Sequence, residues 1–234
     1  MTIKAILFDL DGTLLPMVQE QFIAAYFGEL VKKLMPYGFD KDALIGGIWS
    51  GTKAMVKNDG SVINEKRFWD DFTGLFGEKA KTAKPLLDDF YANEFQRAAS
   101  SCGFDPDAKP VIDALKKAGY RLILATNPIF PAVATLSRIS WAGLSASDFE
   151  HITTYENAHY CKPNPAYYKE ILSECGLAPE ECLMVGNDVD EDMIAKELGM
   201  QVFLLPRCLI NKVQKDISEY PSGDLKDLMA YLAG

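Results

Sequence analysis

Metal-binding and thiol motifs are scarce in this sequence of 234 residues. It contains two His, at 151 and 159, and five Cys, no two of which have C-x-x-C spacing. A zinc site needs a cluster of such residues, so none is expected. We interpret the five Cys as reduced thiols of a cytoplasmic protein.

Basic residues and long apolar runs are also lacking. The chain has 24 Lys and Arg against 33 Asp and Glu, a net charge of −9. This balance argues against a nucleic-acid surface, which requires a basic face. No stretch approaches the roughly 18 uninterrupted apolar residues of a membrane span, and the apolar N-terminal run contains Asp9 and Asp11. We therefore expect a cytoplasmic protein without nucleic-acid or membrane partners, and its oligomeric state stays open.

The hydrophobic pattern predicts two parts. Residues 3–10 are almost continuously apolar, as in a strand buried on both faces of a parallel sheet. Residues 15–103 show only helical spacing, with helices predicted at 19–35, 40–57, 64–76 and 83–100. From 104 onward, strands predicted at 120–125, 152–155, 182–185 and 201–205 alternate with helices predicted at 111–118, 131–139, 165–175, 191–198 and 224–232.

This order predicts an α/β protein with a doubly wound, Rossmann-like parallel sheet and an inserted all-α cap domain. The core is assigned to residues 1–14 and 104–234, and the insertion to 15–103. Trp49, Phe68, Trp69 and Phe72 are predicted to form the core of the insertion.

Polar segments follow several predicted strands, where ligands of doubly wound sheets bind. The four segments are Asp9-Leu10-Asp11-Gly12-Thr13, Thr126-Asn127, Lys162-Pro163 and Gly186-Asn187-Asp188-Val189-Asp190-Glu191-Asp192. Each alone could be an ordinary turn or helix start. Their joint occurrence at one edge of the sheet predicts a single catalytic crevice.

Phe8-Asp9-Leu10-Asp11-Gly12-Thr13-Leu14 resembles the first motif of the haloacid dehalogenase-like (HAD) hydrolases, and the other three segments resemble their later motifs in the same order. The resemblance implies that Asp9 is a nucleophile that forms an aspartyl-phosphate, and that Asp11 acts as general acid and base. It also implies that Thr126, Asn127 and Lys162 bind the phosphoryl group.

A Mg²⁺ cofactor is a further implication of the resemblance, held by Asp9, the main-chain carbonyl of Asp11 and an acid of the fourth motif. Family members usually carry Asp directly after the glycine, where this chain has Asn187. Either Asp188 supplies the carboxylate, which we favour, or Asn187 binds through its amide oxygen. Asp192 is expected to support the site.

We therefore expect Mg²⁺-dependent hydrolysis of a small phosphorylated metabolite. Asp11 argues against a dehalogenase, because a leaving halide needs no proton. A phosphomutase, a phosphonate hydrolase of the same superfamily and a non-catalytic regulatory protein are the alternatives. Met17, Gln19 and Phe22 follow the first motif closely and are candidate substrate contacts. The substrate itself cannot be deduced from the sequence.

Overall fold

Five parallel strands form the centre of the molecule, which a computed structural model describes for residues 2–233. The strands are β1 (Ala5–Phe8), β2 (Arg121–Leu124), β3 (His151–Ile152), β4 (Cys182–Gly186) and β5 (Gln201–Leu204). Their order in the sheet is β3-β2-β1-β4-β5, and every neighbouring pair is parallel. Because β1 lies between β2 and β4, the loops that follow these three strands lie side by side.

Eight α-helices are described within residues 2–233. They are α1 (Gln19–Leu34), α2 (Lys41–Val56), α3 (Asn64–Phe76), α4 (Lys79–Ala92), α5 (Ala108–Lys117), α6 (Ala132–Trp141), α7 (Pro165–Cys175) and α8 (Leu225–Ala233). Short 3₁₀ segments include Glu94–Ser101 and Met193–Leu198. None of the helices in this part of the chain is both long and apolar enough to cross a membrane.

Both faces of the sheet are covered, which explains the continuous apolar run of β1. Ile6 and Phe8 belong to a buried cluster with α5 and α8. Ala5 and Leu7 point to the other face and belong to a cluster with α7. The predicted doubly wound α/β fold is confirmed. Asp9 continues the alternation of Ala5 and Leu7, and it contacts Lys162, which precedes α7.

The segment between β1 and α5 is helical, as predicted, and we call it the helical insertion. Its apolar side chains form a cluster of their own, which includes Leu30, Phe72 and Phe90. Core residues such as Tyr155 and Ala134 join this cluster, so the insertion packs directly on the sheet domain. Phe68 and Phe72 are buried as expected, whereas Trp49 is 47% exposed and the prediction that it belongs to the core of the insertion is wrong.

Two predicted helices differ from the structure. The helical pattern at 83–100 is divided between α4 and the 3₁₀ segment Glu94–Ser101. The division occurs at Asn93, whose Nδ2 donates to the Asp89 carbonyl at 3.0 Å, so its side chain competes with the helical backbone bonds. The helix predicted at 191–198 is a 3₁₀ segment that begins at Met193. Asp188 Oδ1 accepts from the backbone N–H groups of Asp190 and Glu191, which form a turn instead.

Candidate active site

The carboxyl ends of the central strands bring the predicted site residues together. Asp9 directly follows β1, and its backbone N–H donates to the Val185 carbonyl of β4 at 2.9 Å. Asn187 directly follows β4, and Thr126 lies two residues beyond β2. All three side chains are buried. Their positions follow from the parallel register of neighbouring strands, which end at the same edge of the sheet.

Lys162 lies between two carboxylates in the interior. Its Nζ donates to Asp9 Oδ1 at 2.9 Å and to Asp192 Oδ1 at 2.7 Å, and its side chain is not exposed at all. Burial alone would lower the pKa of Lys162, but the charges of Asp192 and Asp9 raise it well above its ordinary value. Lys162 is therefore a fixed positive charge beside Asp9.

Thr13 connects the first motif to the fourth. Its Oγ1 lies 3.1 Å from Asp9 Oδ2 and 2.8 Å from Asn187 Oδ1, so one hydroxyl lies between the two side chains. Asn187 Nδ2 donates to the Cys208 carbonyl at 2.7 Å, which turns the amide oxygen towards Thr13. Gly12 has φ of +93°, and a Cβ there would lie 2.4 Å from Asn187 Nδ2. This close approach explains why a glycine follows Asp11.

Asp188 and Asp192 are oriented by the turn after β4. Asp188 Oδ1 accepts two backbone N–H groups of the turn, while its own N–H donates to Asp192 Oδ2 at 2.9 Å. A Cβ on Gly186 would lie 2.0 Å from Asp192 Oδ2, so a glycine is required there as well. Burial raises the pKa of Asp192 to about 7 despite the opposing charge of Lys162. Asp192 thus positions both Lys162 and the turn.

Asp11 is held by a buried arginine of α6. Arg138 Nη1 donates to Asp11 Oδ2, and the guanidinium lies 4.4 Å from the centre of the Phe130 ring. Asp11 Oδ1 has no hydrogen-bond partner and is shielded from solvent. Burial raises the pKa of the Asp11 carboxyl, and the nearby charge of Asp9 adds to this effect, although the charge of Arg138 opposes it. A raised pKa favours the protonated form that a general acid needs.

Thr126 and Asn127 lie opposite Asp9 at the end of β2. The Thr126 carbonyl accepts from Thr153 Oγ1 at 2.6 Å and from the Tyr167 hydroxyl at 2.9 Å, which fixes this loop. Asn127 Nδ2 donates to Glu191 Oε2 at 3.0 Å. Burial raises the pKa of Glu191 to about 7. Glu191 is thus a polar neighbour of the site that sequence reasoning did not assign.

One cavity of about 530 Å³ connects these residues to the helical insertion. Its lining includes all of the predicted site residues except Lys162, which lies behind Asp9. Those residues are Asp9, Asp11, Thr126, Asn127, Asn187, Asp188 and Asp192. Met17, Gln19 and Phe22, the candidate substrate contacts, also line it.

Arg138 and Thr13 were missed as site residues. Thr13 belongs to the first motif, but no sequence pattern identifies a partner for its hydroxyl. Arg138 lies four residues after Ala134 and next to Ile139, on the apolar stripe of α6. A charged residue on such a stripe needs a buried partner, and this signal could have identified it.

The donor set near Asp9 suits a hard cation. In residues 2–233, no group of three or more His, Cys, Asp or Glu side chains is arranged as a metal site. A cation would therefore also draw on main-chain or amide oxygens, water and substrate. Asp9 Oδ2 and Asn187 Oδ1 both face the Thr13 hydroxyl, so two suitable oxygens already converge. Carboxylates outnumber cationic side chains around them, and the residues present thus fit a divalent cation.

Comparison with known proteins decides the family. The model of the haloacid dehalogenase-like hydrolases matches residues 3–199. The chain belongs to this family.

Curated relatives of this HAD-like chain are phosphatases. The chain is 29% identical over 210 residues to a phosphoglycolate phosphatase of Vibrio vulnificus, with 86% of this chain and 82% of the relative covered. It is 25% identical over 197 residues to pyrophosphatase PpaX of Bacillus velezensis, with 84% and 80% covered. These matches place the HAD-like chain in the phosphatase branch of the family.

A solved structure shares the fold of the HAD-like chain. The HAD phosphatase from Thermococcus onnurineus superimposes with a TM-score of 0.62 at 23% identity, with 99% of both chains covered. The similarity extends over the helical insertion as well as the sheet.

Proposed function

We propose that this HAD-like enzyme hydrolyses phosphomonoesters of small metabolites through a phosphorylated Asp9. The observation that carries the proposal is a cavity that reaches Asp9 and Asp11, with Lys162 bound to Asp9 in the interior. Residues 1–14 and 104–234 form the catalytic core in this proposal, and residues 15–103 form the cap domain that encloses the substrate. The relatives named as phosphatases support the reaction class.

In the first step, an oxygen of Asp9 attacks phosphorus and the bond to the leaving alcohol breaks. Asp11 donates its proton to the departing oxygen. Thr126 and Asn127 bind phosphoryl oxygens from the side of β2, and Lys162 holds a positive charge beside the Asp9 carboxyl group. In the second step, Asp11 takes a proton from water, which attacks the phosphoaspartate and releases phosphate. The Arg138 contact holds Asp11 in place for both proton transfers.

A Mg²⁺ ion would be held by Asp9, by the main-chain carbonyl of Asp11 and by Asn187 or Asp188. When bound, it shields the negative charges of the nucleophile and the phosphoryl group from each other. We favour Asn187, because its Oδ1 and Asp9 Oδ2 share the Thr13 hydroxyl as a neighbour, whereas two backbone donors hold Asp188 Oδ1 and leave only its Oδ2 for a cation. The amide oxygen is neutral, so such a site carries one negative charge less than the usual family site.

Phosphate release with Mg²⁺ and with EDTA tests the proposed reaction. We expect metal-dependent release from at least one phosphomonoester, and the nearly isosteric Asp9→Asn to abolish it without loss of fold. Asp190→Asn is the matched control, since Asp190 pairs with Lys215 outside the cavity. Near-normal activity of Asp9→Asn would show that Asp9 is not the nucleophile.

The metal ligand of the fourth motif can be identified by titrating Mg²⁺ against activity. If Asn187 is the ligand, Asn187→Ala raises the Mg²⁺ concentration for half-maximal activity far more than Asp188→Ala does. The opposite order assigns the ligand to Asp188, as the sequence led us to favour. Asp190→Ala controls for the loss of an acid elsewhere in the same segment.

A further inference from the structure

The wall of the cavity on the side of the helical insertion is mainly apolar, and many of its side chains are aromatic. The helical insertion contributes Phe22, Tyr26, Trp49, Phe68, Trp69 and Tyr91, and from the core Phe130 and Tyr155 add further rings. Apolar and aromatic walls with a few polar groups are typical of small-molecule sites, and such walls bury the apolar parts of a ligand. A leaving group of two or three atoms would leave most of this wall in contact with water.

Positive charge is lacking on the same wall. Among the residues that the structure describes, Lys212 is the one Lys, Arg or His that lines the cavity, and it is exposed on the loop after β5. Lys162 and Arg138 are already bound to carboxylates. Glu20 and Asp88 line the cavity on the insertion side. On the insertion side, a second anionic group on the substrate would therefore meet like charges, and Lys212 of the core is the one cation that the described residues add to the lining.

The polar groups of the aromatic wall are neutral. The hydroxyls of Tyr26 and Tyr91 lie 2.9 Å apart and satisfy each other. Trp69 Nε1 is shielded from solvent and faces the Tyr155 hydroxyl. The wall thus offers no ion pair to a carboxylate or a second phosphate.

We infer that the substrate carries a bulky, uncharged and largely apolar leaving group, preferably aromatic, on its phosphate. This inference rests on the proposed phosphomonoesterase function and narrows its substrate class. The bonds are the same: the Asp9 oxygen bonds to phosphorus, the ester P–O bond breaks, and the alcohol leaves with the proton of Asp11. The enzyme then differs from its relatives named phosphoglycolate phosphatase in the alcohol that it accepts.

The test compares substrates whose alcohols leave equally well. We would measure kcat/KM with Mg²⁺ for 2-phenylethyl phosphate, ethyl phosphate and 2-phosphoglycolate. One methylene more or less in a hydrophobic pocket changes kcat/KM by about 10- to 200-fold. Because a phenyl ring is larger than a methylene, we expect kcat/KM for 2-phenylethyl phosphate to be about 100-fold or more above that for the other two substrates. Equal or better turnover of 2-phosphoglycolate overturns the inference and leaves the phosphatase function intact.

Substitution of single tryptophans tests whether the cavity wall causes the preference for an apolar leaving group. Trp69→Ala should lower kcat/KM for 2-phenylethyl phosphate about 10-fold or more and leave ethyl phosphate nearly unchanged. Trp141→Ala is the matched control, because Trp141 packs on Phe95 outside the cavity. If Trp69→Ala does not fold, Trp49→Ala replaces it, since Trp49 is half-exposed at the cavity. An equal loss on both esters would contradict a role in selecting the leaving group.

Binding without turnover separates the two proposals. Calorimetry with the intact protein and Mg²⁺ would compare 2-phenylethylphosphonate with ethylphosphonate, neither of which has an ester bond to hydrolyse. At least tenfold tighter binding of the phenylethyl compound supports the inference, even if no ester is turned over and the hydrolase proposal fails. Equal affinities overturn it, whatever the activity.

Discussion

Replacement of Lys162 by Met would remove the only cationic contact that the described residues provide for Asp9. Lys162 Nζ donates to Asp9 and Asp192 inside the protein, where its side chain is not exposed. Met is similar in length, so it creates little cavity. The substitution therefore tests the charge of Lys162 rather than its volume.

The expected loss of stability is large. Removing one partner of a buried ion pair costs about 3–5 kcal/mol, because the remaining charge is buried and uncompensated. In the Lys162→Met protein two carboxylates, Asp9 and Asp192, would remain. Lys196→Met is the matched control: Lys196 Nζ lies 2.6 Å from Glu219 Oε2, but both side chains are about half exposed. Since solvent screens such a pair, its removal should change stability little.

The loss should also depend on pH. Burial raises the pKa of Asp192 to about 7, above its value in the unfolded chain. The folded state therefore binds this proton more tightly, and stability falls as the pH rises from about 4 towards 7. Without the opposing charge of Lys162, this pKa rises further and the fall continues to higher pH. Lys162→Met should consequently lose less stability at pH 5 than at pH 8.

Urea denaturation in EDTA, followed by circular dichroism, measures both effects. EDTA prevents a divalent cation from replacing the missing charge. The refuting result is a loss no greater than that of Lys196→Met, or a loss that is equal at pH 5 and pH 8. Either outcome would mean that Lys162 is not the charge that holds the two carboxylates in the interior.

Two further predictions concern the surroundings of Asp11. Arg138→Met should lower kcat about 100-fold with a smaller change in KM, since misplacing a catalytic group by about 1 Å has an effect of this size. The control Arg97→Met, at an exposed position, should leave both constants unchanged. Steady-state kinetics of the two variants tests this prediction. In the same urea denaturation assay, Gly12→Ala should lower the free energy of unfolding more than Gly119→Ala does. Gly12→Ala should also reduce the activity. Both glycines have φ near +90°, but only at Gly12 would a Cβ meet Asn187; equal destabilisation would remove the steric argument.

The elements that carry the site could be predicted because their signals are local. β1 is an apolar run bounded by the Asp9 motif, and α7 begins at Pro165 and ends before Gly176, as predicted. These signals depend on backbone preferences and on burial on both faces of a sheet. The sheet order then places the motif residues together, so the cavity could be expected from the ends of the strands.

What could not be predicted depends on contacts between distant segments. Arg138 is 127 residues from Asp11 in the sequence, and no local sequence pattern predicts their contact. Trp49 resembles a core residue by type, but it is half-exposed at the cavity, a position that residue type alone does not predict. A turn at Asp188 replaces the predicted start of a helix, because the Asp188 carboxylate accepts hydrogen bonds from two backbone N–H groups. The hydrophobic periodicity of the sequence contains no signal for such side-chain bonds.

The placement of the three tryptophans gives the protein built-in optical probes. Trp49 and Trp69 line the cavity, whereas Trp141 lies outside it. Indole emission shifts to shorter wavelength when water is displaced from the ring, and half-exposed Trp49 has the most water to lose. A ligand that fills the cavity should therefore change the intrinsic fluorescence of the unlabelled protein. With Trp141 replaced by Phe, the remaining indole emission would come from Trp49 and Trp69, which both line the cavity.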